Sequence, residues 1–168
     1  KTEKWSLRYP VWIFATMASA IAFAAASLPA AAQSVSVKIG ILNDRSGVYA
    51  DISGVGSEWA AKRAVEDFGA AAKGIKVEIV AADHLNKPDV GANIARQWID
   101  VEKVDAIVDV PTSSVALAVN ALVREKNKVH LNSGAATSDL TGKDCSPNTV
   151  HWTYDTWALA NGTGNAIV

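Results

Sequence analysis

The chain has 168 residues and one cysteine, which is enough for one compact domain but hardly for two. Its formal charge of −1 provides no basic field for polyanions, and this argues against nucleic-acid binding. The single cysteine excludes a zinc ribbon, an iron–sulfur site and an internal disulfide framework.

The first residues are typical of a secretory signal peptide. Basic side chains precede an uncharged run at 11–28, and the small residues Ala30 and Ala32 follow it. The alternative is an uncleaved membrane anchor, because the run is close to the minimum length of a span. The alanine-rich composition and the good cleavage site favour cleavage after Ala32. We therefore expect residues 1–32 to be the signal peptide and residues 33–168 to be the exported domain.

Beyond the predicted signal peptide, β-branched apolar runs alternate with helical patterns. Strands are predicted, in chain order, at residues 35–42, 75–80, 106–110, 129–132 and 151–154. Helices are predicted at residues 56–68, 88–101 and 114–126, and a further helix begins before the last residue. Strands that alternate with helices of this length predict βαβ units with right-handed crossovers. The expected fold class is therefore α/β, an open, doubly wound and mostly parallel sheet.

Two tryptophans and one histidine are expected in the hydrophobic core. Trp59 and Trp98 lie on apolar faces of the first two predicted helices. His130 lies inside an apolar strand, where a buried residue with satisfied hydrogen bonds is a simpler interpretation than a ligand to a bound group.

Hydroxyl side chains follow two of the predicted strands. In open parallel sheets, ligands bind at the carboxyl ends of the strands. Thr112, Ser113 and Ser114 begin the third predicted helix, where free N–H groups and the helix dipole favour a carboxylate. A plain helix cap is the alternative for this feature, because one of the three hydroxyl groups is needed there whatever the function. A second loop, at 133–142, is rich in small and hydroxyl residues.

Enzyme motifs are not found in the sequence. Gly54 and Gly56 lack the third glycine of a dinucleotide fingerprint, and no phosphate-binding loop or nucleophile elbow occurs. His84, His130 and His151 have no paired metal-ligand spacing. Aspartates near three strand ends resemble those of a phospho-acceptor receiver domain, but adjacent carboxylates after the first strand are lacking. The sequence thus predicts no catalytic residue, no metal and no cofactor.

Several segments resemble the branched-chain amino acid type of periplasmic substrate-binding protein, which serves ABC importers. They occur in the family's order and span the predicted exported domain, at residues 37–51, 60–68, 86–90, 111–118, 125–129 and 133–141. The resemblance implies a periplasmic, two-lobed protein that closes on a small carboxylate or amino acid and delivers it to a membrane permease. Val48 and Arg45 depart from the family pattern, so the first loop is expected to differ in shape.

The resemblance also implies a set of ligand-binding residues. In relatives, the hydroxyl residue after the third strand holds the ligand carboxylate, and an Ala-Ala-Thr loop supplies backbone and hydroxyl contacts. The first loop lines the mouth of the cleft, and the last predicted strand leads to the hinge. In this sequence the corresponding positions are Thr112, Ser113, Ser114, Ala135, Ala136, Thr137, Tyr49 and Tyr154.

Family members carry a second lobe, and this sequence ends inside a helical pattern, so we expect it to be the N-terminal part of a longer chain. Cys145 is expected to pair with a cysteine beyond residue 168. An acidic partner for an amino acid's ammonium group is not evident, which leaves the ligand class open. An extracytoplasmic sensor domain of the same fold is the alternative function, and a secreted hydrolase is disfavoured because no nucleophile–base pair is evident.

Overall fold

The computed structural model describes residues 35–167, in which strands and helices alternate along the chain. The elements are β1 (Val35–Asn43), α1 (Gly54–Phe68), β2 (Ile75–Asp83), α2 (Pro88–Asp100), β3 (Ala106–Asp109), α3 (Ser113–Glu125), β4 (Val129–Asn132), β5 (Thr149–His151) and α4 (Thr156–Ile167). Short 3₁₀ turns lie at Ala71–Lys73 and Ser138–Leu140. The predicted signal peptide and its cleavage site at Ala32 fall outside the described residues. Within residues 35–167, no helix combines the length and apolar character needed to cross a bilayer.

The strands form one parallel sheet in the order β2-β1-β3-β4-β5. The central strand β1 pairs with β2 on one side and with β3 on the other, so Ile41 lies opposite both Ala81 and Val108. Helices connect β1 to β2, β2 to β3 and β3 to β4, as the alternating sequence pattern predicts, whereas a loop with a 3₁₀ turn connects β4 to β5. The predicted α/β fold with a doubly wound parallel sheet is confirmed.

The ends of the helices follow from local sequence. Pro88 occupies the first turn of α2, where its missing N–H group has no intrahelical acceptor to lose. Gly69 ends α1 in the left-handed conformation at φ +67°, and its N–H group donates to the carbonyl of Glu66. Local turn chemistry therefore accounts for these two helix boundaries.

The main hydrophobic core lies between the sheet and the pair of helices α2 and α3. Leu42 and Ile107 from the sheet are fully buried against Trp98 of α2 and Val115 of α3. Trp98 was predicted to be a core residue, and this is confirmed. The indole packs so closely on β1 that a Cβ atom at Gly40 would lie 2.5 Å from it.

Helix α1 covers the opposite face of the sheet only in part. Ile41 on this face is buried, whereas Val150 at the edge of the sheet remains 49% exposed. Trp59, which was predicted to be a core residue, is 70% exposed, so that prediction is wrong. The helical pattern identifies an apolar position but not whether the structure places a neighbour against it.

The last strand is displaced from its predicted position. The sequence predicted a strand at 151–154, but β5 covers Thr149–His151 and pairs with β4. Trp152 and Tyr154 are exposed after its end. Their aromatic character and alternation imitate a strand, although the last backbone hydrogen bond to β4 runs from the N–H group of Trp152 to the carbonyl of Asn132.

His130 of β4 is fully buried, as predicted, but its hydrogen bonds are not all satisfied. Its Nε2 atom lies 3.4 Å from the side-chain nitrogen of Asn132. Its Nδ1 atom has no hydrogen-bond partner among the described residues. Burial, with a smaller contribution from the charge of His151, lowers the pKa of His130 to about 4.

The contact between α2 and α3 yields a first prediction. A Cβ atom at Gly91 of α2 would lie 2.4 Å from the Cγ1 atom of Val115 in α3, so Gly91→Ala forces the helices apart. Overpacking of this kind costs about 1–3 kcal/mol, which denaturant unfolding measures. Gly56→Ala in α1 is the matched control, because its Cβ atom meets nothing within 4 Å. It should be neutral or stabilising by up to about 1 kcal/mol. Equal effects of the two substitutions would contradict the close approach of α2 and α3.

The second prediction concerns acid stability. The unfolded chain protonates His130 below pH 6.5, whereas the folded chain does so only near pH 4. The free energy of unfolding should therefore decrease as the pH is lowered from 6.5 to 4. His130 alone should contribute about 3 kcal/mol to this decrease. His130→Gln should make this loss smaller but not abolish it, because burial also lowers the pKa of His84. The same slope in wild type and variant, followed by urea unfolding from pH 7 to pH 4, would show that His130 is not responsible.

Candidate functional site

The order of the strands creates a crevice at the carboxyl edge of the sheet. The chain leaves β1 toward β2 on one side, and after β2 it crosses over to β3 on the other side of β1. The loops after β1 and β3 therefore run apart, and the point between them is where open α/β sheets bind ligands. The polar side chains at this point form two groups, and hydrogen bonds connect the members of each group.

The first group is built around the carboxylate of Asp44, which is fully buried directly after β1. Its Oδ1 atom accepts a hydrogen bond from the N–H group of Gly47 at 2.8 Å. Its Oδ2 atom accepts from the N–H group of Tyr49 at 2.9 Å and from the side-chain amide of Asn86 at 2.6 Å. Burial opposes ionisation of Asp44, but these hydrogen bonds outweigh it and hold its pKa below the ordinary value.

The amide of Asn86 joins this carboxylate to the loop after β3. Asn86 lies after β2 in the left-handed conformation, at φ +55°, and its Oδ1 atom accepts a short hydrogen bond from the hydroxyl group of Thr112. Thr112 is the N-cap residue of α3, yet its side chain makes no capping hydrogen bond. The loops after β1, β2 and β3 are therefore linked through Asp44, Asn86 and Thr112.

The second group surrounds Asp109 at the end of β3. The side-chain amide of Asn43 donates to Oδ2 of Asp109 at 3.0 Å, and the hydroxyl group of Ser133 donates to Oδ1 at 3.3 Å. The same amide also donates to the carbonyl of Gly54 at 2.7 Å. The Oδ1 atom of Asn43 is buried with no partner among the described residues. This group connects β1, β3 and β4 across the switch in strand order.

The backbone at the end of β3 is strained. Asp109 and Val110 have φ values of +78° and +53°, which cost about 1–3 kcal/mol each for residues other than glycine. Two hydrogen bonds of 3.0 Å hold Val110 in this conformation. The N–H group of Val110 donates to the carbonyl of Leu42, and the side-chain amide of Asn132 donates to the carbonyl of Val110. Strain supported in this way is typical of sites whose geometry is set by the surrounding structure.

The Ala-Ala-Thr loop is also tied to its neighbours. Ala135 is buried, its N–H group donates to the side chain of Asn132 at 2.9 Å, and its carbonyl lies 2.6 Å from Nε2 of His151. The carbonyl of Ala136 accepts from the N–H group of Thr156 at 2.6 Å. The hydroxyl group of Thr137 accepts from the N–H group of Asp139 at 3.2 Å and so caps a 3₁₀ turn.

A cavity of about 240 Å³ lies beside these strand ends, on the face of the sheet that α1 partly covers. Apolar side chains of the sheet and helix form most of it, and polar groups enter from the ends of β3 and β4. The lining residues are Ile41, Ser57, Ala60, Ala61, Val108, Asp109, Leu131, Ser133 and Trp152.

The structure places every predicted site residue at the carboxyl edge of the sheet, but brings only some of them together. The N–H group of Tyr49 and the hydroxyl group of Thr112 belong to the same hydrogen-bonded group. Ser113 and Ser114 occupy the first turn of α3. Tyr154 is 57% exposed, and within residues 35–167 its side chain makes no hydrogen bond to the other predicted residues.

Three asparagines of the site were missed in the sequence. Asn43, Asn86 and Asn132 each follow or end a strand and connect the loops. Their signal was a polar amide at the end of a strand, repeated after β1, β2 and β4. Within the described residues, no group of three or more histidine, cysteine or acidic side chains is arranged to hold a metal ion.

Comparison with solved structures finds relatives of greater length. The chain is 49% identical to a periplasmic binding protein from Burkholderia mallei, with a TM-score of 0.76 over 79% of this chain and 35% of that one. It is 40% identical to a branched chain amino acid ABC transporter periplasmic ligand-binding protein from Burkholderia xenovorans LB400, with a TM-score of 0.73 over 78% and 35%. A solute binding protein of an ABC transporter from R. palustris, in complex with 4-hydroxybenzoate, is 27% identical, with a TM-score of 0.65 over 77% and 36%.

The chain therefore spans about a third of the length of these solved relatives. No curated protein matches it at a significant level. The family model described as "Periplasmic binding protein" matches residues 36–168, which is nearly the whole of the chain beyond the predicted signal peptide. With this match and the relative that is 49% identical, the chain belongs to the periplasmic binding protein family.

Proposed function

We propose that the protein is the extracytoplasmic solute-binding component of an ABC importer, and that it captures a small carboxylate such as an amino acid without transforming it. The observation that carries the proposal is the amino end of α3 at the switch in strand order. Thr112 turns its side chain toward Asn86 instead of capping the helix. In this proposal, the N–H groups of the first turn and the hydroxyl groups of Ser113 and Ser114 bind the carboxylate of the ligand.

The relatives support a ligand that carries a carboxylate. The B. xenovorans protein is described as a branched chain amino acid transporter component, and the R. palustris protein is in complex with 4-hydroxybenzoate. Amino acids and 4-hydroxybenzoate differ in size and in charge, but both carry a carboxylate. A site of hydroxyl groups and helix N–H groups recognises that shared part without a cationic side chain.

The remaining predicted residues complete the proposed site. Thr137 contributes a hydroxyl group, and Ala135 and Ala136 leave space for the ligand beside their backbone. In this proposal Tyr49 lines the mouth of the cleft, and Tyr154 lies where the chain leads to the hinge. A periplasmic location and a membrane permease as partner follow from the proposed role in import.

A third prediction tests the ligand class on the full-length protein. An acid present at a hundred times its dissociation constant stabilises the folded state by about 2.7 kcal/mol, which raises the melting temperature by several degrees. We expect this shift with at least one acid from a panel of amino acids and benzoates. Leucinamide and benzamide, which lack the carboxylate, are the matched controls and should give no shift. A panel in which no acid shifts the melting temperature would contradict the proposed function.

A fourth prediction concerns the Ala-Ala-Thr loop. Thr137→Val in the full-length protein should weaken binding of the acid found by the panel by about 1–3 kcal/mol, because a buried carboxylate oxygen loses its hydrogen bond. Thr137→Ser keeps the hydroxyl group and should bind nearly as wild type does.

Loss of the turn itself needs a separate control. Thr141→Val removes a hydroxyl group that donates to the carbonyl of Ser138 in the same turn, and it should leave affinity unchanged. Titration calorimetry measures all three variants. Equal affinities of wild type and Thr137→Val would place the ligand elsewhere.

A further inference from the structure

The strand β2 lies at one edge of the sheet and directs half of its backbone groups away from it. The order β2-β1-β3-β4-β5 leaves one side of this nine-residue strand open within residues 35–167. The N–H group of His84 donates to the carbonyl of Asn43 in β1 at 2.9 Å, so the even-numbered residues of β2 direct their backbone groups to β1. The odd-numbered residues, including Val77 and Ile79, therefore direct their N–H and carbonyl groups outward. An open edge of this kind is a template for pairing with another strand.

The side chains of β2 alternate between the two faces of the sheet. Val80 packs against the core between the sheet and the helices α2 and α3, so Lys76 and Glu78 point to that same face, where both are exposed. Val77 points to the other face and, with Phe68 of α1, lines an apolar groove of about 320 Å³. The ring of Phe68 is 56% exposed. The open edge thus carries two opposite charges on one face and an apolar surface on the other.

The two charges of β2 are complementary to those of a second copy of the chain. A two-fold axis perpendicular to the sheet pairs β2 with β2 of the second copy in antiparallel orientation, and it keeps each face of the sheet on its own side. With the axis at Val77, Lys76 of each copy lies opposite Glu78 of the other. Glu78 also forms an ion pair with Lys38 of β1 at 2.8 Å. The register therefore extends an existing ion pair into a row of alternating charges that crosses from one copy to the next.

The same charges disfavour the neighbouring registers. An axis at Lys76 would place two ammonium groups opposite each other, and an axis at Glu78 would do the same with two carboxylates. The axis at Val77 also suits the backbone, because the outward N–H and carbonyl groups of the two Val77 residues then bond each other. Next to them, the N–H group of Ile79 donates to the carbonyl of Ile75 in the second copy.

The apolar face favours the same axis. Val77 lines the groove under α1, so an axis at this residue makes the grooves of the two copies continuous. Burial of apolar surface there adds to the backbone hydrogen bonds and the charge pairs. We infer that the protein forms a two-fold symmetric dimer in which the β2 strands of two copies pair and the two sheets become one. This inference needs no ligand and is independent of the proposed function.

Charge reversal tests the dimer in the full-length protein. Light scattering over a concentration series measures the mass in solution, and wild type should approach twice the mass of one chain. Lys76→Glu places two carboxylates opposite each other in both charge pairs, and Glu78→Lys does the same with ammonium groups. Each substitution should weaken the dimer at least about tenfold. Lys143→Glu, in the loop before β5 at the other edge of the sheet, is the matched control and should dimerise as wild type does.

A mixture of the two single variants separates pairing of charges from damage to the fold. One copy with Lys76→Glu and one with Glu78→Lys place opposite charges together at both positions. The mixture should therefore dimerise although each variant alone has mostly the mass of one chain. The inference is wrong if the mixture does not dimerise, or if Lys143→Glu weakens the dimer as much as Lys76→Glu does. It is also wrong if wild type keeps the mass of one chain up to its limit of solubility.

Hydrogen exchange shows whether β2 is the surface that pairs. The N–H groups of Val77 and Ile79 should exchange slowly in the wild-type dimer and rapidly in the Lys76→Glu variant. Slow exchange of these groups in a protein with the mass of one chain would show that another segment of its own chain covers β2. Rapid exchange in a dimer would show that the copies meet at a different surface. Either of these two results would overturn the inference.

Discussion

The arrangement of the strand-end loops depends on one buried carboxylate. Asp44 is taken out of water directly after β1, and an ionised group in that position is stable only if several donors surround it. Two donors come from the backbone of its own loop, and the third comes from Asn86 in the loop after β2. The loop must also pass so close to the carboxylate that a Cβ atom at Gly47 would lie 2.7 Å from it. Because Asn86 in turn holds Thr112, one charge couples three loops that are distant in sequence.

Much of the fold could be predicted from local sequence, because each element carries its own pattern. The alternation of apolar runs and helical stripes predicted the parallel sheet, and β4 lies at the residues predicted for it. The exposure of Trp59 could not be predicted in the same way. Its position on a helix is apolar, but α1 covers a face of the sheet on which the described part of the chain leaves aromatic side chains exposed. The displaced β5 has a related cause, since pairing with β4 decides where a short strand ends.

The hydroxyl-rich loops of the candidate site could also be read from the sequence, but the direction of their hydrogen bonds could not. Asp44 and Asn86 are 42 residues apart, and Asn86 and Thr112 are 26 residues apart. The sequence shows that Thr112 begins a helix and predicts either a cap or a ligand contact. Only the packing of three loops against each other shows that its proton is directed to Asn86.

The polar groups at the edge of the sheet also hold strained backbone in place. Asp109 and Val110 adopt left-handed conformations that neither residue favours. The side-chain amide of Asn43 donates a hydrogen bond to the carboxylate of Asp109, and that of Asn132 donates one to the carbonyl of Val110. These asparagines are buried at a cost in solvation, and they offset it by satisfying groups that the turn would otherwise leave unpaired. The strain is thus held by hydrogen bonds within the fold itself. In the solute-binding role proposed above, a site held rigid in this way would lose less conformational entropy on binding.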